Sequence, residues 1–299
     1  IHAYPNGGGA YIVARQNLGE MPGLVAAGSL LIDYTLTVAV SITAGVEAIT
    51  SAAPQLYPMR VEIGLAAIAL IAWANMRGVR ESGMIFSIPT YSFIGVMFAL
   101  LATGASRIMS GSLSPLPSPV HIEVSHTLTL FLILRAFSSG CTALTGIEAI
   151  SNGIPAFKAP ESRNAGRTLV AMAALLVTMF FGITYLARHL NIIPIGTETV
   201  NSQIGRSIFG TGALYYALQA STAMILLLAG NTAFADFPRL GSILAQDRYL
   251  PRQLSNRGDR LVFSNGILTL ALLAGVLVVV FKGKTHSLIP LYAVGVFIS

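Results

Sequence analysis

Residues 23–51 read GLVAAGSLLIDYTLTVAVSITAGVEAITS, a mostly apolar run with a carboxylate near its middle. It is long enough to cross a bilayer, since about 20 apolar residues rising 1.5 Å each span the hydrocarbon core. Asp33 sits near its middle, where insertion of a carboxylate costs about 2.5–3.5 kcal/mol and where such groups face a cavity, an ion or a partner. Tyr34 follows directly. Thr37 and Ser41 lie four and eight residues after Asp33, so at about 100° per residue the three share one narrow polar stripe. On these residues alone, Asp33 is open to three readings: a structural pair, a proton relay or a ligand.

Composition extends the membrane reading to the whole chain. Of 299 residues, 54% are hydrophobic and 10% are charged, with mean hydropathy +0.71, whereas soluble domains carry about a quarter charged residues. The net charge of +6 does not point to nucleic acid, because the basic residues fall in short loops between apolar spans. Alternating those loops places eleven Lys/Arg on the side of Arg15, Arg77 and Arg252 and six on the side of Arg60, Arg188 and Lys282, with Arg135 in between. The positive-inside bias then assigns the N-terminal end to the cytoplasm of a multi-pass cell-membrane protein. A single cysteine, Cys141, excludes an intramolecular disulfide and a cysteine-based metal cluster. The chain starts on Ile1, and its last apolar run opens only near Ser287. Residues 1–299 are therefore expected to form one transmembrane domain, incomplete at both ends.

Eight spans are expected. After 23–51 come 61–75, then 84–104, then a loop holding Pro115, Pro117 and Pro119. The fourth opens near Thr127 in TLTLFLILRAFSSGCTALTGIEAISNGIPAF and carries Arg135, Gly140, Gly146, Glu148, Asn152, Gly153 and Pro155. So many breakers and charges read as a discontinuous helix whose freed backbone groups line a cavity. The others are 168–187, 212–236, 261–281 and the run from Ser287.

Most of the 12 acidic residues sit in loops or at span ends. Glu47 and Glu62 suit snorkelling or an interfacial partner, and Asp236 closes the sixth span beside Arg239. Glu148 is different, for it follows Thr145 by one turn on the same face. A pair with Arg135 inside one helix is out of reach, because thirteen residues of continuous helix cover about 20 Å. Two carboxylates with interleaved hydroxyls at membrane depth suit a desolvated hard cation, and a carboxylate there can also take up a proton. Asp33 and Glu148 are the candidates for linking the two movements. No cofactor and no transition metal is expected, since the five histidines lie outside the spans. HExxH, GxSxG and Walker patterns are missing, which argues against an enzyme.

YPNGGGAYIVARQNLG (4–19), IDYTLTVAVS (32–41), TGIEAISNGIPAFKAPESRNA (145–165) and NTAFADFPRLGSILAQDRYLPRQ (231–253) resemble the amino acid-polyamine-organocation superfamily over essentially the whole chain. Within it, the sequence is most similar to the KimA-type potassium/proton symporters. The resemblance implies an all-α integral membrane, LeuT-like inverted-repeat fold, of which the eight spans would be family helices three to ten. It also implies a potassium path through Asp33, Tyr34, Thr37, Ser41, Thr145, Glu148 and Tyr292 in IPLYAVGVF, with potassium and protons as the transported ions. The lipid bilayer is the implied surrounding, and a homodimer of the full-length protein is compatible with it. Ordinary amino acid permeases share the GGAY loop and the Gly-rich sixth helix, so a proton-coupled amino acid permease is the competing expectation. A non-transporting membrane subunit would not need a broken, charged span.

Overall fold

A computed structural model describes residues 9–78, 83–113, 129–141, 150, 154, 157–256 and 263–298. The described residues are overwhelmingly helical. In chain order the helices are α1 (Ala10–Leu18), α2 (Glu20–Ala52), α3 (Arg60–Met76), α4 (Gly83–Met109), α5 (Leu130–Cys141), α6 (Glu161–His189), α7 (Val200–Phe209), α8 (Ala213–Gln246), α9 (Ser264–Val280) and α10 (Thr285–Ile298). A short 3-10 turn, Pro54–Met59, leads from α2 into α3. Five stretches are long and apolar enough to cross a membrane: Glu20–Ala52, Pro54–Met76, Phe86–Met109, Glu161–His189 and Ala213–Gln246, and α9 is a shorter apolar helix. The protein is a multi-pass membrane protein.

The residues fall into two compact units. One draws on Ile1–Asp33, Glu123–Phe181 and Pro290–Ser299, and the other on Tyr34–Ile122 and Gly182–Ile289. In the second unit α8 packs most extensively against α4 and α9, and it also meets α7 and α3. Met97 and Leu100 of α4, Leu218 of α8, and Ile267 and Leu270 of α9 are buried there. The first unit contributes the amphipathic α1, where Arg15 donates to the Tyr11 hydroxyl at 2.9 Å.

Three features depart from the expected spans. Asp236 does not close the sixth span, because α8 continues through Pro238 to Gln246. An internal proline removes a backbone donor and crowds the preceding turn. Here its bulk has a matching notch: a Cβ built on Gly266 of α9 would stand 2.7 Å from the Pro238 Cβ and 2.9 Å from its Cα. The second departure is α7, which the loop composition concealed. Thr199 caps it by accepting from the Ser202 amide at 3.2 Å, and Glu198 ties its two turns through Ser202 Oγ and Arg206, each at 2.8 Å. Third, α6 begins at Glu161, seven residues before the expected start at 168, and ends on His189. The breaks expected between 142 and 157 fall almost entirely outside the described residues.

Candidate cation site

Helix α2 forms because its apolar run holds no proline after Pro22 and its small polar residues can satisfy themselves locally. Thr43 donates to the Ala39 carbonyl at 2.8 Å, and Ser51 donates to the Glu47 carbonyl at 2.7 Å. Such back-bonding removes the penalty of a hydroxyl in hydrocarbon and leaves the main-chain ladder intact. Continuous helix through 20–52 puts Asp33, Thr37 and Ser41 on one face, as the spacing predicts. Asp33 is 3% exposed, Tyr34 is 6% and Ser41 is 9%, while Thr37 is half-buried. Ile32, next to Asp33, is 57% exposed. The carboxylate thus sits on the inward side of its helix and the isoleucine on the outward side.

Within the second unit, the far half of α2 lies against α8. A Cβ built on Gly230 would stand 3.7 Å from the Ser41 Cβ and 3.5 Å from Ile42. A Cβ on Gly45 would stand 3.4 Å from the Ala223 carbonyl. Further along, the Tyr215 hydroxyl donates to the Ser51 carbonyl at 3.0 Å. As residue numbers rise on α2 they fall on α8, so the two run antiparallel. The glycines let the backbones approach closely, which is how helices associate where lipid is as apolar as leucine.

α8 adds polar groups that the sequence reading passed over. Gln219 is 2% exposed and Thr222 is 8%. Gln219 Nε2 and Thr222 Oγ1 are buried with no hydrogen-bond partner among the described residues. The helical spacing of Tyr215, Gln219, Ala223, Leu226 and Gly230 turns the Gln219 amide toward α2. A buried donor left without a partner costs about 1–3 kcal/mol, so this amide is a cost that an apolar side chain would not carry. The legible signal was a glutamine, a serine and a threonine within four residues of a mostly apolar run. Asn75 of α3 and Asn231 of α8 satisfy each other, by contrast, at 2.7 Å.

Tyr292, on α10, is buried at 6% exposed. Thr145 and Glu148 lie outside the described residues. Among the other acidic residues, Glu62 is exposed, as snorkelling requires. Glu47 has an interfacial partner, for its Oε1 accepts the Thr285 amide at 2.9 Å. Among the described residues no group of three His, Cys, Asp or Glu could hold a metal. The donor set on α2 consists of carboxylate and hydroxyl oxygens, which suit a hard monovalent or group-2 cation better than a transition metal.

Comparison with known proteins gives this arrangement a family. The chain is 52% identical over 302 residues to the protein named Potassium transporter KimA of Bacillus subtilis (strain 168), an alignment that takes in 100% of this chain and 49% of that protein. The chain thus spans about half the length of this curated relative. Residues 2–299 match the family model described as Amino acid permease. With several long apolar helices and a match over residues 2–299, the chain belongs to the amino acid permease family.

Proposed function

We propose that the full-length protein is a secondary active transporter that imports potassium coupled to protons by alternating access. The observation that carries this reading is the 52% identity along the whole chain to a protein named as a potassium transporter. The chemistry of α2 supports it. A carboxylate at 3% exposure followed by hydroxyls one and two turns on can replace the water around a cation, with the negative charge offsetting dehydration. Asp33, Tyr34, Thr37, Ser41, Thr145, Glu148 and Tyr292 are the proposed cation contacts, and Asp33 and Glu148 the proposed proton-coupling carboxylates. Residues 1–299 act in this proposal as one transporter domain in the cell membrane, with the N-terminal end cytoplasmic and a homodimer as the full-length assembly.

A proton-coupled amino acid permease is the second reading, favoured by the description of the matching family. Such a transporter holds a substrate carboxylate with helix N-terminal amides, and a buried carboxylate on α2 would repel that group. The deciding experiment is uptake by the full-length protein in liposomes. Potassium accumulation driven by an acidic exterior is the expected result; amino acid uptake with no potassium dependence would establish the alternative.

A further inference from the structure

Within the second unit a cavity of about 550 Å³ opens beside the end of α2. Its lining includes Glu47, Tyr57 and the stretch from Pro194 to Val200, and on the other side Lys284, Thr285 and His286. At its edge the Glu47 carboxylate of α2 accepts the Thr285 amide at the first turn of α10, at 2.9 Å. A helix N-terminus attracts an anion, and α10 has no acidic residue of its own in the first turn. The anion comes instead from a helix 238 residues away in sequence.

The charges around the cavity decide what the carboxylate is for. Glu198 is committed to Arg206 at 2.8 Å, and Lys284 and His286 are exposed at the rim. Arg60 donates to the Lys282 carbonyl at 2.8 Å just outside. With Glu198 held by Arg206, Glu47 taken by the Thr285 amide and Lys284 at the rim, the cavity offers a cation no carboxylate that is still open. What it leaves open to solvent is the joint between α2 and α10. The joint centres on the bond from the Thr285 amide to Glu47, in the wall of the cavity.

Both helices carry proposed site residues. Glu47 lies fourteen residues after Asp33, four turns with a drift of about 40°, so the two share a face about 21 Å apart along α2. Thr285 stands two turns before Tyr292 on one face of α10. We propose that Glu47 is a positioning residue, a strap that fastens the N-terminus of α10 to α2 and must release and re-form during each transport cycle. This inference rests on the transport reading for the site residues the two helices carry and for the solute to be measured.

The test uses the full-length protein in liposomes, with native cysteines replaced, Glu47→Cys and Thr285→Cys introduced together, and a short, reducible bis-methanethiosulfonate linker. Bridging the pair is expected to lower the uptake that the reduced double variant retains by about tenfold or more, with recovery to that level on reduction, an effect of at least one decade in rate. Uptake by the bridged protein within about twofold of its reduced form would overturn the proposal, because a static contact can be locked without consequence. Failure of the linker to join the pair would also overturn it. If the reduced double variant is inactive, single variants decide. Glu47→Gln keeps an acceptor oxygen and should retain about half the maximal rate or more, while Glu47→Ala should lose most of it with an unchanged KM. Equal rates per folded molecule for the two would refute the strap. If the unsubstituted protein moves amino acids instead of potassium, the transport reading fails, and the linker comparison is made on that solute.

Discussion

Asp33→Asn separates a transport carboxylate from a structural one. The substitution preserves volume and one acceptor oxygen in a site 3% exposed, so packing on α2 survives, as does any hydrogen bond donated to that oxygen. It removes the charge. A monovalent cation about 3 Å from a carboxylate gains about 5 kcal/mol at an effective dielectric of 20. An amide oxygen restores roughly half of this, leaving a loss of about 2–3 kcal/mol, or about a hundredfold in cation affinity. Stability should move the other way or not at all, since exchanging a carboxylate for a neutral amide at the centre of a spanning helix relieves part of an insertion cost of about 2.5–3.5 kcal/mol. Potassium uptake into liposomes over a range of external potassium, with thermal unfolding of the same preparation, reads both quantities. Ile32→Ala, on the exposed side of the same turn, is the control and should leave KM unchanged. Asp33→Asn transporting with wild-type KM and rate would refute the ligand role. Transport lost in proportion to unfolding would show a structural pair instead.

Other perturbations test other parts of the argument. Gly266→Ala forces a Cβ to within 2.7 Å of Pro238 on the neighbouring helix, and overpacking of that kind costs about 1–3 kcal/mol; thermal unfolding should shift down clearly. Gly230→Ala meets only ordinary contacts at 3.5–3.7 Å and should leave the unfolding temperature nearly unchanged. Gln219→Leu removes a buried amide with no partner among the described residues, so stability should hold or rise by about 1 kcal/mol. A slower potassium uptake by that variant would place the amide on the transport route, and an unchanged rate would assign it to packing alone. A cysteine introduced by Arg252→Cys, at an exposed position in a Cys141→Ser background, should resist an impermeant thiol reagent applied from outside; ready labelling would invert the proposed orientation.

The helices of this protein were legible from hydropathy because lipid demands length and internal hydrogen bonding, and little else competes with that signal. The inward face of α2 was legible for the same reason, since a carboxylate with hydroxyls at helical spacing in hydrocarbon has few bland explanations. The extension of α8 beyond Asp236 was not legible. Proline at 238 reads locally as a stop, and only the glycine of a distant helix, Gly266, makes room for it. Helix α7 was hidden because its ten residues are too short and too polar for a hydropathy window, although Thr199 and the Glu198, Ser202, Arg206 spacing are ordinary helix-start chemistry. The partner of Glu47 could not be read at all, because a backbone amide carries no residue-type signature.

Within its own helix, Asp33 is one end of a longer polar face. Half of the most apolar window of α2 is buried, against 6% for α6, so among the described residues α2 is a helix that other elements cover and α6 is one that they leave largely open. A covered helix could satisfy its neighbours with leucine alone. Instead α2 places Asp33, Thr37, Ser41 and Glu47 along about 21 Å of one side, and α8 answers nearby with two glycine-lined contacts and an unpartnered amide. Each of these choices costs stability that an apolar residue would supply, and such local violations concentrate where function requires them. The Glu47 contact extends that reasoning to the far end of the face. A carboxylate that only had to be tolerated there could snorkel to water, as Glu62 does on α3. Glu47 reaches across to the first amide of α10 instead, which joins the end of α2 to the start of α10 by a charge-assisted bond. One such bond, worth about 1.5–3 kcal/mol, is strong enough to hold a helix end in place and weak enough to be broken and remade in every cycle.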